Sequence, residues 1–268
     1  MAPLRNVVAE TADLLAPISL DELDRYALLN RVDTKFVLTQ AQLIAALRAV
    51  SDSYRILTID NVRLHRYETL YFDTPDFALY HHHHSGGLNR YKIRFRRYVD
   101  SGPSFLEVKL RSNKGRTEKA RLLVDAPSAH FQPVQHQFLA ESWPGNSWQL
   151  EPKVWNSFRR LTLANRESVE RLTIDVGLGV QRSAEKGAVL PGERNGTRAT
   201  SLFGNIVIAE VKQPKRSLDS PFMQQIRQLG LRPSGFSKYC MGAAALYPRV
   251  RQNRFKPRFR MLEKLRQD

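Results

Sequence analysis

The most regular pattern in the chain is an alternation of apolar and charged residues at every second position. In the segment 90–96, RYKIRFR, every even-numbered position is basic and every odd-numbered position is apolar or aromatic. Successive side chains of a β-strand point to opposite faces of the sheet. The segment therefore predicts a strand with one cationic face and one apolar face.

The same division recurs in five other short segments. They are 31–35, 105–110, 119–124, 171–176 and 207–212. Six such strands predict a closed antiparallel barrel, with apolar faces against outer helices and charged faces meeting in the lumen, because closure leaves no exposed strand edge. The simpler alternative is an open sheet whose charged faces are solvated and joined by salt bridges.

Helical spacing and end signals mark four further segments. Ser19 and Thr39 stand at typical N-cap positions, and Gly230 follows the last apolar residue of its segment. The predicted helices are 19–30, 39–50, 220–230 and 237–247.

The remaining segments complete an α+β fold class. Residues 76–84 predict a short helix or turn, 152–164 a helix or an irregular link, and 183–204 a polar hairpin loop. The predicted strands are 31–38, 66–74, 90–99, 104–112, 118–125, 169–178 and 205–213.

Composition narrows the class of protein. The 268 residues are 42% hydrophobic and 9% aromatic, as in globular chains with a sizeable core. No apolar run reaches the roughly 18 residues that span a bilayer, and the N-terminus does not resemble a secretory signal. Cys240 is the single cysteine, which excludes an internal disulfide. We therefore expect a cytoplasmic protein.

The formal net charge of +16 changes the functional picture most. So many cations repel one another in the folded state unless an anion compensates them. Buried like charges cost several kcal/mol each unless they are paired or ligated. A cationic lumen with a few carboxylates implies a strongly anionic, linear guest, with the carboxylates holding a divalent cation that bridges its oxygens.

The last 20 residues are also basic, with eight Lys or Arg and two acidic residues. They predict a solvated basic helix or frayed tail, or else a surface that holds a polyanion or an anionic membrane. We expect an N-terminal segment over 1–18, one tunnel domain over 19–248 and a basic C-terminal tail over 249–268.

Seven short motifs follow one another along the chain: RVDTKF, YETLYFDT, KIRFRRY, FLEVKLRSNKGRTEKAR, RLTID, IAEVK and FSKY. With the charged-face pattern, they make the sequence resemble the catalytic domain of the vacuolar transporter chaperone (VTC) polyphosphate polymerases, within the CYTH-like triphosphate tunnel metalloenzyme superfamily. The resemblance runs from about residue 20 to residue 247. It implies a closed eight-stranded antiparallel tunnel flanked by helices.

The resemblance and the charged faces together define a candidate site. The expected catalytic residues are six cations: Lys35, Arg94, Arg96, Lys109, Arg171 and Lys238. The expected phosphate-binding residues are Arg31, Lys92, Lys119, Arg121, Lys212 and Ser237. The expected metal ligand is Glu210, in the family's Glu-x-Lys motif, assisted by Glu107 and Asp175.

The chain departs from the family pattern at two positions. Asp33 stands where these enzymes usually carry Glu in an Arg-x-Glu-x-Lys motif, so its carboxylate is retracted by one methylene. Phe36 stands where Tyr is common, which removes one hydroxyl. The first change bears on a metal or water contact, and the second on little else.

The activity that the resemblance implies is transfer of the γ-phosphoryl group of ATP to a growing polyphosphate chain, with Mn²⁺ or Mg²⁺ as cofactor. No Gly-x-x-x-x-Gly-Lys-Ser/Thr run is present, so side chains rather than a P-loop must hold the phosphates. Attack by water would make the same site a triphosphatase. The expected partners are ATP and inorganic polyphosphate. A membrane-protein partner, or the basic tail, would bring the chain to the inner face of a membrane.

Two non-enzymatic alternatives stay open at this point. One is a scaffold that binds polyphosphate without turnover, and the other is a nucleic-acid-binding module. In 90–96 the aromatic residues and the cations lie on opposite faces, whereas a stacking platform needs both on one face. We therefore expect no specific nucleic-acid partner.

A run of four histidines, His81 to His84, precedes the basic strand. On a helix only His81 and His84 share a face, so the four cannot bind one metal. We expect structural or solvent-exposed roles for them, with phosphate contact at a tunnel mouth as the alternative.

Overall fold

The computed structural model describes residues 4–25, 31–114, 116–183 and 203–267, and a sheet of ten strands forms its centre. The strands are β1 (Ala16–Ile18), β2 (Val32–Thr39), β3 (Tyr54–Leu57), β4 (His65–Asp73), β5 (Arg90–Tyr98), β6 (Ser104–Arg111), β7 (Thr117–Val124), β8 (Glu151–Asn165), β9 (Arg171–Arg182) and β10 (Ile206–Gln213). The predicted hairpin loop over 183–204 lies almost wholly outside the described residues.

Three of the helices begin at side chains that cap them. Ser19 and Thr39 each form a capping box with the residue three positions on, and Ser237 accepts a backbone hydrogen bond at the start of its helix. The helices are α1 (Leu4–Ala12), α2 (Leu20–Asp24), α3 (Gln40–Ala49), α4 (Ala78–His84), α5 (Pro133–Ser142), α6 (Pro221–Gln228), α7 (Lys238–Leu246) and α8 (Lys256–Gln267).

The predicted closure into an eight-stranded barrel is wrong. The main path of the sheet is β2-β10-β9-β8-β4-β5-β6-β7, and within the described residues its two end strands do not pair. The free edge of β2 is occupied by the segment before α7, because the Ser234 N–H donates to the Lys35 carbonyl at 2.8 Å. At the other end of the strand order, β7 is largely exposed. Its charged residues Lys119 and Arg121 disfavour pairing of this edge with a further strand.

The open sheet nevertheless curls strongly. Five strand steps separate β10 from β6 in the sheet order, which would be about 24 Å in a flat sheet. Yet Glu210 on β10 acts on Lys109 on β6: burial lowers the pKa of Lys109, and the Glu210 carboxylate partly offsets that fall. The two strands therefore face each other across a concave side.

Two hydrophobic clusters cover the convex side. One packs α1, α3 and α6 against β2, β10, β9 and the second half of β8. The other packs α5 and Trp143 against β4, β5 and β6. The apolar faces predicted from the alternation thus lie under helices, as expected.

A third cluster fills one end of the concave side. It joins α7 and α8 to inward residues of the strands, including Val37, Val154 and Val180. We call this the plugged end; the open end is the opposite rim, where β2, β4, β6 and β9 begin. The basic C-terminal residues belong to the plug, because Phe255 and Leu262 are buried in it.

The prediction for 152–164 is also wrong, because this segment forms β8, the longest strand, between β9 and β4. Both faces of β8 are buried along most of its length. Strands covered on both faces lack a clean alternation, and the period of two was therefore hidden.

No helix in the described part of the chain combines the length and hydropathy required to cross a bilayer.

Asp73, fully buried at the end of β4, ties three elements together. Its carboxylate accepts the backbone N–H groups of Leu79 and Tyr80, each at 2.8 Å, and the hydroxyl of Tyr239 on α7. We expect Asp73→Ala to lower the free energy of unfolding by about 3 kcal/mol, because several buried donors lose their acceptor. Urea unfolding measures this change.

The matched control is Asp76→Ala, since Asp76 lies three residues away and is exposed. It should change the free energy of unfolding by no more than about 0.5 kcal/mol. Equal losses in the two variants would contradict the role assigned to Asp73.

Candidate active site on the concave face

The strand registers bring most of the predicted site residues onto the concave face. Lys35 lies opposite Glu210, Lys212 opposite Arg171, and Arg94 opposite Glu107. Lys238, the first residue of α7, reaches the same face from the plugged end. The charged residues on this face include Lys35, Lys92, Arg94, Arg96, Glu107, Lys109, Lys119, Arg121, Arg160, Arg171, Asp175, Glu210, Lys212 and Lys238.

Glu107 is the buried anchor of the β5–β7 half. Its carboxylate lies 2.7 Å from Arg94 Nη2, 2.8 Å from Lys119 Nζ and 3.9 Å from Arg96 Nε. Burial alone would raise the pKa of Glu107, but the three cations hold it well below its usual range. Glu107 therefore stays ionised and fixes cations from two neighbouring strands.

Asp175 is the corresponding anchor on β9. Arg160 on β8 donates to it through both Nε, at 2.6 Å, and Nη2, at 2.9 Å, and Lys238 donates to it from α7. Burial would raise the pKa of Asp175, but these two cations hold it well below its usual range. The paired, forked contact fixes the guanidinium plane of Arg160.

Arg160 is a candidate functional residue that sequence reasoning missed. It lies within the segment that predicted a helix or an irregular link. An available signal was its spacing: Phe158, Arg160 and Thr162 share the face that pairs with Tyr67, His65 and Thr173.

Glu210 anchors the third group of cations. It accepts a hydrogen bond from Lys35 and lies 3.2 Å from Lys212 Nζ. Lys212 in turn donates to Thr173 Oγ1 at 2.6 Å. Burial would raise the pKa of Glu210, but Lys212 and Lys35 lower it well below the usual value.

The three predicted metal ligands do not come together. Glu107, Asp175 and Glu210 each have their own cations, and no group of three or more His, Cys, Asp or Glu side chains in the described ranges could hold a metal ion. Magnesium in phosphate sites often takes only one or two carboxylates, with substrate oxygens completing its shell. Glu210 fits such a site best, because its side chain is 17% exposed whereas those of Glu107 and Asp175 are 0% and 4% exposed.

Several cations on this face have no carboxylate of their own. Neither Lys92 nor Lys109 has a salt-bridge partner within 4.0 Å among the described residues. In the same part of the chain, Arg96 Nε and Arg171 Nε are buried without a hydrogen-bond acceptor. Buried donors of this kind need an acceptor, and no described residue places one within hydrogen-bonding distance of these two Nε atoms.

Two lysines respond strongly to this surplus of charge. Burial and the nearby Lys92 and Arg94 lower the pKa of Lys109 to about 8. Burial also lowers the pKa of Lys212 to about 8, although Glu210 opposes the change. In the free protein, Lys109 and Lys212 therefore begin to lose their protons just above neutral pH.

The remaining predicted residues have local partners. The Arg31 Nε donates to Asp33 at 2.9 Å, so the shorter carboxylate of Asp33 contacts Arg31. Ser237 Oγ accepts the Cys240 N–H at 3.2 Å as the cap of α7. Phosphate contact by Arg31 and Ser237 stays a prediction.

The histidine run forms α4 at the plugged end. Nε2 of His84 accepts the backbone N–H of Arg254 at 3.3 Å, which is a structural contact. Burial, with Lys92 and Arg90 nearby, lowers the pKa of His83 to about 3. His83 thus stands beside the cationic row of β5, uncharged at neutral pH.

A family model described as the VTC domain matches residues 30–247 of the chain. No curated protein sequence matches it at a significant level. The family match covers the strands that carry the concave face and ends one residue after α7.

Solved structures show only distant similarity. A protein from Hippeastrum, described as a candidate adenylyl cyclase with a dominant triphosphatase activity, has 15% identity and a TM-score of 0.47, covering 81% of this chain and 96% of its own. A candidate adenylate cyclase from Bacillus halodurans has 12% identity and a TM-score of 0.43, with coverage of 78% and 94%. The S. pombe RNA triphosphatase has 10% identity and a TM-score of 0.29, with coverage of 98% and 93%.

Lys109→Met tests whether the unpaired lysine is kept for an anionic guest. Methionine has a similar length and no charge, so we expect the free energy of unfolding to rise by about 1 kcal/mol. We also expect affinity for inorganic tripolyphosphate to fall about tenfold, as one charge-assisted contact is lost. Urea unfolding and isothermal titration calorimetry measure the two effects.

Lys215→Met is the matched control, because Lys215 is exposed in the loop after β10. It should leave both quantities within experimental error of the wild type. Loss of stability in Lys109→Met with unchanged affinity would mean that Lys109 serves the fold alone.

The affinity for tripolyphosphate should also depend on pH. Lys109 and Lys212, with pKa values of about 8, are charged at pH 7 and lose their protons as pH rises toward 9.5. The last ionisation of a phosphate group has a pKa of about 6 and is nearly complete by about pH 8, so affinity should fall above pH 8. In the free protein the opposite holds for stability: between pH 8 and 10.5 the unfolded chain binds more protons, and the free energy of unfolding rises.

Titration calorimetry at several pH values checks this dependence. The control is the double variant Lys109→Arg with Lys212→Arg, because arginine keeps its proton throughout the range. Its affinity should vary less with pH than that of the wild type. A flat wild-type profile would show that these lysines do not meet the anion.

Proposed function

The chain belongs to the VTC domain family, and on that premise we propose that it is a metal-dependent phosphotransferase that builds inorganic polyphosphate from a nucleoside triphosphate, with ATP as the expected donor. The observation that carries the proposal is the surplus of cations over carboxylates on the concave face, where the buried Nε atoms of Arg96 and Arg171 lack a hydrogen-bond acceptor within the described residues. A chain of phosphates supplies both the missing charge and the missing acceptors.

Positioning and electrostatics would supply most of the catalysis. Phosphoryl transfer requires that the reacting groups be aligned and that negative charge be neutralised, more than covalent help from the protein. Glu107 holds Arg94 and Asp175 holds Arg160 before any substrate arrives. Such preorganised cations act on the transition state without reorganising.

Glu210 would hold the divalent ion, Mn²⁺ or Mg²⁺, which would supply neutralisation of phosphate charge. Lys35 and Lys212 pair with Glu210 in the free protein. Their role is to keep the Glu210 carboxylate ionised and in place. Metal identity stays a prediction.

The length of the cationic row favours a polymer over a single triphosphate. Alternate positions of β5 carry a row of four cations: Arg90, Lys92, Arg94 and Arg96. This row extends about 20 Å from Arg90 to Arg96. Beyond Arg90 stands the plugged end, where His83 and Arg258 lie. A row of this length offers more cations than three phosphates need, as expected for a face that also holds a product chain.

Hydrolysis is the second candidate reaction. The free edge of the sheet at β7 exposes two cations of the concave face to solvent, Lys119 and Arg121. Water that reaches the γ-phosphoryl group would compete with the end of the polyphosphate chain, giving a triphosphatase.

Incubation of the purified protein with ATP and Mn²⁺ separates these reactions. The polymerase should form long-chain phosphate, seen by gel electrophoresis and ³¹P NMR, together with ADP. Glu210→Gln should lower turnover about 100-fold, because loss of a group that holds or supports a metal ion typically costs up to about 100-fold in activity. Its thermal transition confirms that the variant is folded.

Glu118→Gln is the matched control, because Glu118 is an exposed glutamate on β7 that points away from the concave face. It should turn over ATP like the wild type. Orthophosphate as the sole product would replace the polymerase by the triphosphatase. Binding of polyphosphate with no turnover of ATP in the wild type would leave a scaffold role in place of both.

A further inference from the structure

Four aromatic side chains form a stripe across the concave face, one from each of four neighbouring strands, and the stripe runs from the plug cluster toward the open end. They are Phe158 on β8, Tyr67 on β4, Tyr98 on β5 and Phe105 on β6. Ring centroids lie 5.1 Å apart for Phe158 and Tyr67, 5.0 Å for Tyr67 and Tyr98, and 5.9 Å for Tyr98 and Phe105. We call this stripe the aromatic rim.

The half of the aromatic rim formed by Tyr98 and Phe105 lies on the concave face, directly outside Arg96 and Glu107. Tyr98 is two residues beyond Arg96 on β5, and Phe105 is two residues before Glu107 on β6. Side chains two residues apart share a face of the sheet. The alternation that places cations inside therefore continues into aromatic residues at the opening.

The inner half of the rim is already covered. Tyr67 stacks on Phe158 with an interplanar angle of 8°, and the Arg160 guanidinium lies 5.0 Å from the Tyr67 centroid. Phe158 is buried at 3% exposure. These two rings hold Arg160 in place and offer little free surface.

The outer half is still available. Tyr98 and Phe105 are half-buried and belong to none of the three hydrophobic clusters. The two rings meet edge to face, with an interplanar angle of 88°. The face of one ring and the edge of the other therefore border a corner. The guanidinium of the exposed residue Arg121 lies 5.0 Å above the Phe105 ring.

This corner has the chemistry of a nucleobase site. A planar base stacks on an aromatic ring and is covered by an arginine, as in single-stranded nucleic-acid sites. The corner adjoins Arg96, whose buried Nε has no acceptor within the described residues. A ligand with a flat base at one end and a string of phosphates at the other matches both features.

We propose that Tyr98, Phe105 and Arg121 form the nucleobase subsite for the nucleoside triphosphate, an inference that rests on the proposed function. The base stacks at the open end, and the triphosphate runs inward past Arg96 and Arg94. The terminal phosphoryl group then lies on the inner part of β5, beside Arg94 and Lys92. Stacking accepts every base, so ATP and GTP should bind with similar affinity and purines more tightly than pyrimidines.

The test compares two ligands that share phosphates and differ in the base. Affinities of the full chain for the non-hydrolysable ATP analogue AMP-PNP and for inorganic tripolyphosphate are measured by titration calorimetry, each with Mn²⁺. Phe105→Leu and Tyr98→Leu should weaken AMP-PNP binding about tenfold, or about 1.4 kcal/mol. Tripolyphosphate binding should stay unchanged, which also shows that the variants are folded.

Tyr91→Leu is the matched control, because Tyr91 lies on the same strand as Tyr98 but packs on the convex side. It should leave both affinities unchanged. Equal losses for the two ligands in the rim variants, or no loss for AMP-PNP, would overturn the subsite. Equal binding of a single-stranded oligonucleotide without a triphosphate, lost in the same variants, would overturn it in favour of a nucleic-acid surface. A wild type that makes no polyphosphate, with rim variants that still lose affinity for AMP-PNP alone, is a separate outcome. That result would overturn the proposed polymerase reaction and leave the nucleobase subsite in place.

Discussion

The concave face depends on three carboxylates that hold a larger number of cations in place. Glu107, Asp175 and Glu210 lie on β6, β9 and β10, and each contacts cations from at least one other element. Without them, the buried charges would repel one another across a curled sheet in a medium that screens poorly. Their own pKa values are held low by the cations, so the network stays ionised over the physiological range.

The same network leaves some positive charge uncompensated. This charge lowers the stability of the free protein and favours the binding of an anion. Lys109 and Lys212 have pKa values near 8 because burial and neighbouring cations disfavour their protons. A polyanion would reverse this penalty, since it adds negative charge where the protein has too little. Natural sites commonly retain such locally unfavourable groups because a ligand uses them.

The sequence could predict the faces of the strands but not how the sheet ends. The period of two in 90–96 and its repeats identified six strands and their charged sides, and β2, β5, β6, β7, β9 and β10 confirm them. Arg160 was hidden because β8 is buried on both faces. Closure was wrong because edge pairing depends on distant contacts, such as that of Ser234 with β2. The rim was missed since its aromatics meet only across four strands.

An open sheet makes Glu107 more important than it would be in a closed barrel. In a closed barrel, continuous hydrogen bonding would fix β7 on both sides, whereas here β7 has one strand partner within the described residues. Glu107 contacts Arg94 on β5 and Lys119 on β7, so a single buried carboxylate ties the exposed edge strand to the interior. Ion pairs therefore fix the concave face at its free β7 edge. A closed barrel would have backbone hydrogen bonds to a further strand at this position.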